Sequence, residues 1–367
     1  MRQYGGLVRN GMREEWLNRI ALTWGNRTRQ RQLRRLLDEY PTATEAAARY
    51  PEWLSREAMA FAEKELAFIE KHGIGLYYYK DANYPYRLAQ CVDAPLLLYS
   101  KGAVDVNPKH AVSIVGTRMP SERGKDWCRR LVLDLAAKVP DLTIISGLAY
   151  GIDVTAHRAA IEAGIPTIII PAHGLDRIYP SVHRQVAVQA LGNGGILTEY
   201  CCGTEPERFN FVARNRIVAG LADALVVVES KQKGGSLITA DMAVDYGRDV
   251  FAMPGRHDDE CSAGCNDLIK HNKAQLIEGA EDLIAAMQWQ VETKQPKQTT
   301  MVELMVELTA TQRQLIDLLR ETEEGLHINQ LVMETQLAYN LVASELVMLE
   351  LDDVVKSMPG GMWRIKK

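Results

Sequence analysis

Five stretches of the chain share one pattern of hydrophobic and polar positions. In each of them a short run of β-branched residues ends in a turn rich in glycine or polar residues, and a helix-patterned stretch follows. These stretches lie at 111–118, 142–153, 166–176, 196–205 and 224–240. Repeated strand–turn–helix units build an open parallel sheet with helices on its faces. The pattern therefore predicts an α/β fold with a doubly wound, mainly parallel sheet.

Helical patterns precede this core. Apolar residues recur every three or four positions in the first 73 residues, with a stop at Tyr40-Pro41 and an end at Gly73. Residues 1–73 are therefore predicted to form a small helical domain. Short aromatic and β-branched runs at 74–110 predict an edge element that leads into the sheet. The sheet domain is accordingly assigned to 74–290.

The C-terminal part of the chain has a different pattern. Residues 291–300 are polar, lack apolar periodicity and include Pro296, so a flexible linker is predicted at 291–310. Residues 311–367 show three amphipathic helices, then a strand, a Pro-Gly-Gly turn and a second strand, which is the order of a winged helix. This region is acidic, whereas a helix in the major groove normally brings cations to the backbone. A protein-interaction or regulatory role is as well supported there as DNA reading.

Bulk composition is consistent with a soluble protein of several domains. The 367 residues are 47% hydrophobic and 25% charged. No apolar run approaches the roughly 18 residues of a membrane span, and the N-terminus lacks the hydrophobic region of a signal peptide. The six cysteines lack the paired CxxC spacing of zinc sites. We therefore expect a cytoplasmic protein with reduced thiols, no bound metal and no membrane segment.

The net charge of −4 argues against a globally basic nucleic-acid binder. It does not exclude a local basic groove, because binding responds to the local field rather than to the total charge. The first 37 residues are rich in arginine on amphipathic helices. Such arginines are more often a solvated helix face than a nucleic-acid surface.

The first two turns of the predicted sheet carry candidate ligand-binding residues. In open α/β sheets, ligands bind outside the carboxyl ends of the strands. Gly116 lets the backbone bend after the first strand, and Arg118 can then fork onto an anionic oxygen. A structural turn with a surface arginine is the alternative. After the second strand, Asp153 is interpreted as a helix cap.

The stretch 207–223 combines aromatic and basic residues. Phe209 and Phe211 are spaced for one face of an extended segment, and a helix is expected to begin after them near Arg214. Aromatic rings stack bases while arginines hold phosphates. The alternative is that one phenylalanine belongs to the core and one arginine pairs with Glu199 or Asp223.

A glycine pair, Gly234-Gly235, precedes Ser236 at a predicted helix start. Exposed amides and the helix dipole make such a place an anion site. The loop matches neither the Walker pattern nor the GxGxxG dinucleotide pattern. No GxSxG or HExxH motif occurs. Glu199, Glu229 and Asp176 lie near strand ends and could serve as acids or bases, and a cluster formed in space stays open. These features favour binding over catalysis.

The motifs SIVGTR, SGLAYGIDVTAH, HGLDRIYP, GGILTEY, FNFVARNRIVAGLADALVVVES, GGSLITADMAVDYGRDVFAMPG and SAGCNDLI occur in this order. The series resembles the DNA-processing protein A family (DprA, also called Smf) over about 75–290. The resemblance implies an extended Rossmann-like fold, a small helical N-terminal domain of the SAM or helix-hairpin-helix kind, and a C-terminal winged helix. It also implies a homodimer that binds single-stranded DNA and loads the recombinase RecA in natural transformation, without a cofactor.

The resemblance also carries over DNA-binding positions on the strand-end loops. They are Gly116, Thr117, Arg118, Ser146, Gly147, Gly151, Arg208, Phe211, Arg214, Asn215, Arg216, Gly234, Gly235 and Ser236. Binding is expected to have weak sequence preference and to weaken as salt rises. The alternative is a nucleotide-cleaving or nucleotide-sensing Rossmann-like protein.

Overall fold

The computed structural model describes residues 10–289, 309–320, 325–352, 354–358 and 360–365. The chain divides into two compact units, Met1–Thr293 and Lys294–Lys367. Residues 1–9 of the predicted helical domain and 291–308 of the predicted linker lie outside the described residues.

The first unit begins with four helices, α1 (Asn10–Gly25), α2 (Gln30–Asp38), α3 (Ala43–Arg49) and α4 (Arg56–His72). Local sequence explains the bounds of α4. The Ser55 side chain accepts a hydrogen bond from the Ala58 amide at its start, and Gly73 ends it in the left-handed conformation with φ +59°.

These helices share a hydrophobic cluster with the edge of the sheet. Ile20 and Ile69 are buried in the same cluster as Leu97 and Tyr99 of the sheet edge. The Arg19 guanidinium also lies 4.2 Å from the Tyr78 ring centroid. The helices are therefore joined to the sheet by continuous apolar packing.

The arginines of this region fall into two groups. Arg19 pairs with Glu15 and with Asp81, each at 2.8 Å, and Arg27 contacts the Cys201 thiol. Three others, Arg29, Arg31 and Arg35, are exposed to solvent. Part of the arginine-rich pattern is therefore structural, and part is the expected solvated face.

The sheet has nine strands in the described part of the chain. They are β1 (Gly75–Tyr78), β2 (Leu97–Gly102), β3 (His110–Val115), β4 (Leu142–Ser146), β5 (Thr167–Ile169), β6 (Gly194–Thr198), β7 (Ala224–Val227), β8 (Asp249–Ala252) and β9 (Gln275–Leu276). Their spatial order is β1-β2-β6-β5-β4-β3-β7-β8-β9. In this spatial order, the seven strands from β6 through β3 to β9 are parallel to one another. The strands β1 and β2 form an antiparallel edge.

Helices cover both faces of this sheet. They are α5 (Tyr86–Ala89), α6 (Glu122–Lys138), α7 (Ile152–Glu162), α8 (Arg184–Ala190), α9 (Arg208–Gly220), α10 (Gly235–Asp245), α11 (Ala263–Lys270) and α12 (Ala280–Ala286). Because successive side chains of a strand point to opposite faces, Ala111 and Val115 of β3 pack in one cluster. Val112 and Ile114 pack in the other. The predicted doubly wound, mainly parallel sheet is confirmed.

The strand order reverses next to β3. The chain continues from β3 through β4, β5 and β6 on one side, then returns to place β7, β8 and β9 on the other side. The loops that leave β3 and β7 therefore diverge and open a crevice at the carboxyl ends of the strands.

The second unit contains α13 (Ala310–Arg320), β10 (Leu326–His327), α14 (Ile328–Thr335), α15 (Tyr339–Leu351), β11 (Val355–Met358) and β12 (Met362–Ile365). The strands pair antiparallel in the order β10-β12-β11. Leu315, Leu331, Leu346 and Val355 form the centre of its core. The predicted winged-helix order of three helices and a hairpin is confirmed.

None of the helices in the described residues is both long enough and apolar enough to cross a membrane.

An ion pair joins Arg87 of α5 to Asp223, the residue that precedes β7. Arg87 is 2% exposed, and its Nε and Nη2 donate to the two Asp223 carboxylate oxygens at 2.6 and 2.8 Å. The Asp223 Oδ2 also accepts a hydrogen bond from the Ala111 amide at 2.9 Å. Because Arg87 is buried while Asp223 is only partly buried, loss of the carboxylate leaves the buried arginine charge uncompensated.

We predict that Asp223→Asn lowers the free energy of unfolding by about 3 kcal/mol, because Arg87 then keeps its charge without a counter-ion. Urea denaturation of the full chain measures this loss. The matched control is Glu162→Gln, which breaks the exposed Arg129–Glu162 pair and should change stability by less than about 0.5 kcal/mol. Equal losses in the two variants would contradict the structural role of Asp223.

Candidate functional site

A cavity of about 370 Å³ opens at the point where the strand order reverses. The loops after β3, β4 and β7 and the first turns of α9 form its walls. Many of the predicted site residues line it, namely Gly116, Thr117, Arg118, Phe211, Arg214, Asn215, Gly234, Gly235 and Ser236. The structure thus brings together residues that are more than a hundred positions apart in sequence.

The loop after β3 is held by backbone contacts. The Thr117 amide donates to the Glu229 carbonyl at 2.7 Å, and the Thr117 carbonyl accepts from the Ile152 amide at 3.2 Å. Gly116 is needed for close approach, since a Cβ there would lie 2.6 Å from Ile152 Cγ1. Arg118 is exposed at the end of this fixed loop, with its Cζ 5.5 Å from the Phe211 ring centroid.

The loop after β7 ends at the start of α10, where Gly234 is the N-cap residue. The positive end of the helix dipole therefore lies at the cavity wall. The Ser236 hydroxyl donates to Ser230 Oγ at 2.8 Å, so this side chain supports the turn. Lys231 pairs with Glu260 at 3.0 Å, whereas Lys233 is exposed and has no ion pair in the described part of the chain.

The expectation for Phe209 and Phe211 is corrected by the position of α9. This helix begins at Arg208, not after the aromatic residues. Residues two positions apart in a helix point about 200° apart, so the two rings cannot share a face. Phe209 is 78% exposed, whereas Phe211 is half-buried and lines the cavity.

Arg214 forms the floor of the cavity. It is 4% exposed, and its Nη1 donates to the Ile170 carbonyl at 2.7 Å. Its Nε has no hydrogen-bond partner among the described residues. Burial lowers the pKa of Arg214, and the nearby Asp153 carboxylate partly opposes this effect. The guanidinium is therefore a fixed, poorly solvated cation below the cavity.

Asp153 accompanies this cation. Its Oδ2 accepts from the Ala149 amide at 3.3 Å, so it holds the loop before α7; the N-cap position of that helix is Gly151, not Asp153. Burial raises the pKa of Asp153, while Arg214 and the Ala149 amide lower it. The interpretation as a helix cap is thus replaced by a role in the loop and beside Arg214.

Charges that line the cavity are mainly positive. Among the described residues of its wall, the cations are Arg118, Arg214, Lys231 and Lys233, and the carboxylate is Asp153. A local field of this sign favours an anionic ligand although the whole chain carries −4.

Three of the predicted residues lie behind the cavity wall and do not line the cavity. Ser146 is fully buried, and its hydroxyl donates to the Ile114 carbonyl at 2.6 Å. A side chain at Gly147 would overlap the Arg214 guanidinium. Gly151 has φ +81° and lies against the Thr117 carbonyl. These positions shape the wall but do not line the cavity.

Two predicted arginines lie away from the cavity. Arg208 is exposed on the first turn of α9 and is not part of the wall. Arg216 points to the other side of α9, where its guanidinium contacts the Glu199 carboxylate and the Asp93 carbonyl. The alternative that one arginine pairs with Glu199 therefore applies to Arg216.

The acids near strand ends have structural partners. Glu229 is 2% exposed and accepts hydrogen bonds from the Ser121 amide and hydroxyl at the start of α6. Asp176 pairs with Arg177 at 2.9 Å. Burial raises the pKa of Glu199, and its ion pair with Arg216 opposes this. None of the three lines the cavity.

His157 is also a packed residue. Its ring is fully buried, and Nδ1 lies 2.7 Å from the Thr167 hydroxyl. Burial lowers the pKa of His157 to about 3, so the ring is neutral at physiological pH. In the described residues, no group of three or more His, Cys, Asp or Glu side chains could hold a metal ion.

Sequence reasoning missed some wall residues. Ile238 and Thr239 line the cavity one turn after the glycine pair in α10. Residues three and four positions apart share a helix face, so the position of Gly235 at the cavity predicts that Ile238 and Thr239 line it too. Met119, at 76% exposure, also lies on the wall but carries no such signal.

Comparison with known proteins identifies the family. Residues 75–288 match the family model described as DNA recombination-mediator protein A, and residues 302–361 match the DprA winged helix domain. The chain belongs to the DNA recombination-mediator protein A family. Protein Smf of Synechocystis is 36% identical over 310 residues, which cover 76% of this chain and 77% of that protein.

Solved structures of family members share the fold. The X-ray structure of DNA processing protein A from Streptococcus pneumoniae superposes with a TM-score of 0.60 at 33% identity, over 76% of this chain and 98% of that one. A structure of the Helicobacter pylori protein, whose subject is its single-stranded DNA binding mode, has a TM-score of 0.53 at 30% identity. It covers 59% of this chain and 95% of that one.

We predict that Gly147→Ala lowers the free energy of unfolding by about 1–3 kcal/mol, because its methyl group overlaps the Arg214 guanidinium. In an Arg214→Ala background the same change should cost less than about 0.5 kcal/mol, since the obstacle is gone. Urea denaturation of the parent, the two single variants and the double variant measures the coupling.

Gly235→Ala is the matched control, because a Cβ at that position meets nothing within 4 Å. It should leave the free energy of unfolding within about 0.5 kcal/mol of the parent. Equal costs of Gly147→Ala in both backgrounds would show that the guanidinium is not what occupies the space.

Proposed function

We propose that the chain binds single-stranded DNA in the cavity at the reversal of the strand order. The observation that carries the proposal is the meeting of three features in one cavity. An exposed Arg118, the start of α10 and the ring of Phe211 all line it. Cations and helix amides suit backbone phosphates, and an aromatic ring suits a base. The single-stranded DNA binding of the Helicobacter pylori relative supports the same ligand here.

Each contact has a separate role in this mechanism. Arg118 and Lys233 are exposed and can hold phosphate oxygens, and the amides at the start of α10 supplement them. Phe211 offers a ring on which a base can stack. Arg214 adds a fixed positive charge from the floor. Since stacking and phosphate contacts tolerate every base, the sequence preference is weak.

We further propose that the protein acts in DNA recombination during natural transformation, where it protects incoming strands and loads RecA. Family membership supports this role. In the same proposal the protein is a cytoplasmic homodimer that works without a cofactor and without catalysis. The geometry of Glu199 and Glu229 supports the last point, because both carboxylates are bound to structural partners outside the cavity.

A nucleotide-sensing or nucleotide-cleaving protein is a second candidate. The cavity volume of about 370 Å³ is in the range of small-molecule sites, so a mononucleotide could also enter. The two candidates differ in how affinity depends on ligand length.

We predict that Arg118→Ala lowers the affinity for a single-stranded oligonucleotide by about tenfold, because one charge-assisted phosphate contact is lost. The slope of log K against log salt should become shallower by about 0.7. Fluorescence polarisation at several salt concentrations measures both effects.

Arg129→Ala removes the same charge from an exposed arginine of α6 that pairs with Glu162. This control should keep the affinity of the parent chain. Similar losses in the two variants would mean that net charge, and not the cavity, determines binding.

We predict that affinity falls in the order single-stranded oligomer, duplex of the same sequence, mononucleotide. The cavity admits an unpaired base, and several phosphates of one strand add to the binding. Parallel polarisation titrations give the order. Tighter binding of the mononucleotide would favour the sensing function, and release of free base from a nucleoside monophosphate would favour cleavage.

A further inference from the structure

An exposed aromatic residue adjoins the cavity without lining it. Tyr179 lies in the loop after β5 and is 47% exposed. Its ring centroid is 5.9 Å from that of Phe211, with the two planes inclined by 55°. The Phe211 ring thus has two neighbours, Arg118, which lines the cavity, and Tyr179, which does not.

The backbone under this ring is firmly held. The Tyr179 amide donates to Nε2 of His173 at 3.1 Å, and Nδ1 of the same imidazole donates to the Gly174 carbonyl at 2.8 Å. His173 is 1% exposed, and burial lowers its pKa. A neutral imidazole with one donor and one acceptor satisfies both bonds. The main chain of Tyr179 is therefore ordered in advance of any ligand.

The side chain of Tyr179 has the opposite character. About half of the residue faces solvent. Because the main chain is already ordered, covering the ring costs only the freedom of its two side-chain torsions. An aromatic face of this kind accepts any nucleobase.

We propose that Tyr179 is a second base-stacking position, for the nucleotide adjacent to the one whose base lies at Phe211. The inference rests on the proposed binding of single-stranded DNA in the cavity. It adds that the bound strand leaves the cavity over the loop after β5. Because the second position lies outside the cavity, a mononucleotide cannot use both rings.

The test compares Tyr179→Ala, Tyr179→Phe and Tyr86→Ala in the full chain. Tyr86 is a matched control, since it is 49% exposed but lies on α5 and does not line the cavity. The probes are fluorescein-labelled oligothymidylate of about 12 nucleotides and thymidine monophosphate as a competitor. Polarisation titrations give both affinities.

Tyr179→Ala should lower the affinity for the oligomer about tenfold and leave that for the monophosphate unchanged. Tyr179→Phe should bind both probes like the parent chain, because stacking needs the ring and not the hydroxyl. Tyr86→Ala should also be unchanged. An equal loss for both probes in Tyr179→Ala would overturn the inference, since Tyr179 would then only shape the cavity.

The result for Arg118→Ala distinguishes a failure of the second stacking position from a failure of the proposed single-stranded DNA binding in the cavity. Weaker oligomer binding in Arg118→Ala with parental binding in Tyr179→Ala would overturn the second stacking position and leave the cavity as the binding site. Parental binding in both variants would remove the cavity itself from the interface, and the inference with it.

Discussion

The buried guanidinium of Arg214 links the three elements that form the floor of the cavity. It extends from α9, donates to the Ile170 carbonyl after β5 at 2.7 Å, and occupies the space left by the absent side chain of Gly147 after β4. Asp153 provides the nearby negative charge. A poorly solvated cation of this kind is tolerated only where hydrogen bonds and a counter-charge surround it. The contacts of Arg214 with Ile170 and Gly147 fix the loops behind the cavity, and the walls of the cavity therefore keep their position.

The arginines of the first unit divide into structural and accessible groups, and this division reconciles an acidic chain with an anion site. Arg87 and Arg216 pair with carboxylates inside the protein, and their charges are neutralised there. Arg118 and Lys233 are exposed at the cavity and have no carboxylate partner among the described residues. The net charge of −4 therefore says little about the field inside the cavity. Local pairing determines which cations remain available to a ligand.

Much of the fold was predictable because its signals are local. The β-branched runs, the turn residues after them and the 3.6-residue periodicity gave the parallel sheet, the N-terminal helices and the winged helix. The strand β8 was not among the predicted units. The start of α9 was misplaced because two aromatic residues at alternate positions also fit a strand. Once the helix begins at Arg208, only Phe211 can face the cavity.

The sequence by itself determined the order of strand–turn–helix units, the family, and the clustering of glycine, cationic and aromatic residues at the strand ends. Only the tertiary structure decided which of those cations are accessible. Arg216 and Arg214 are two positions apart, yet one pairs with Glu199 on the far side of α9 and the other forms the cavity floor. The physical reason is that an arginine's partner is chosen by proximity in space, and Arg87 finds Asp223 across 136 positions of sequence. Local sequence patterns therefore do not predict such pairings.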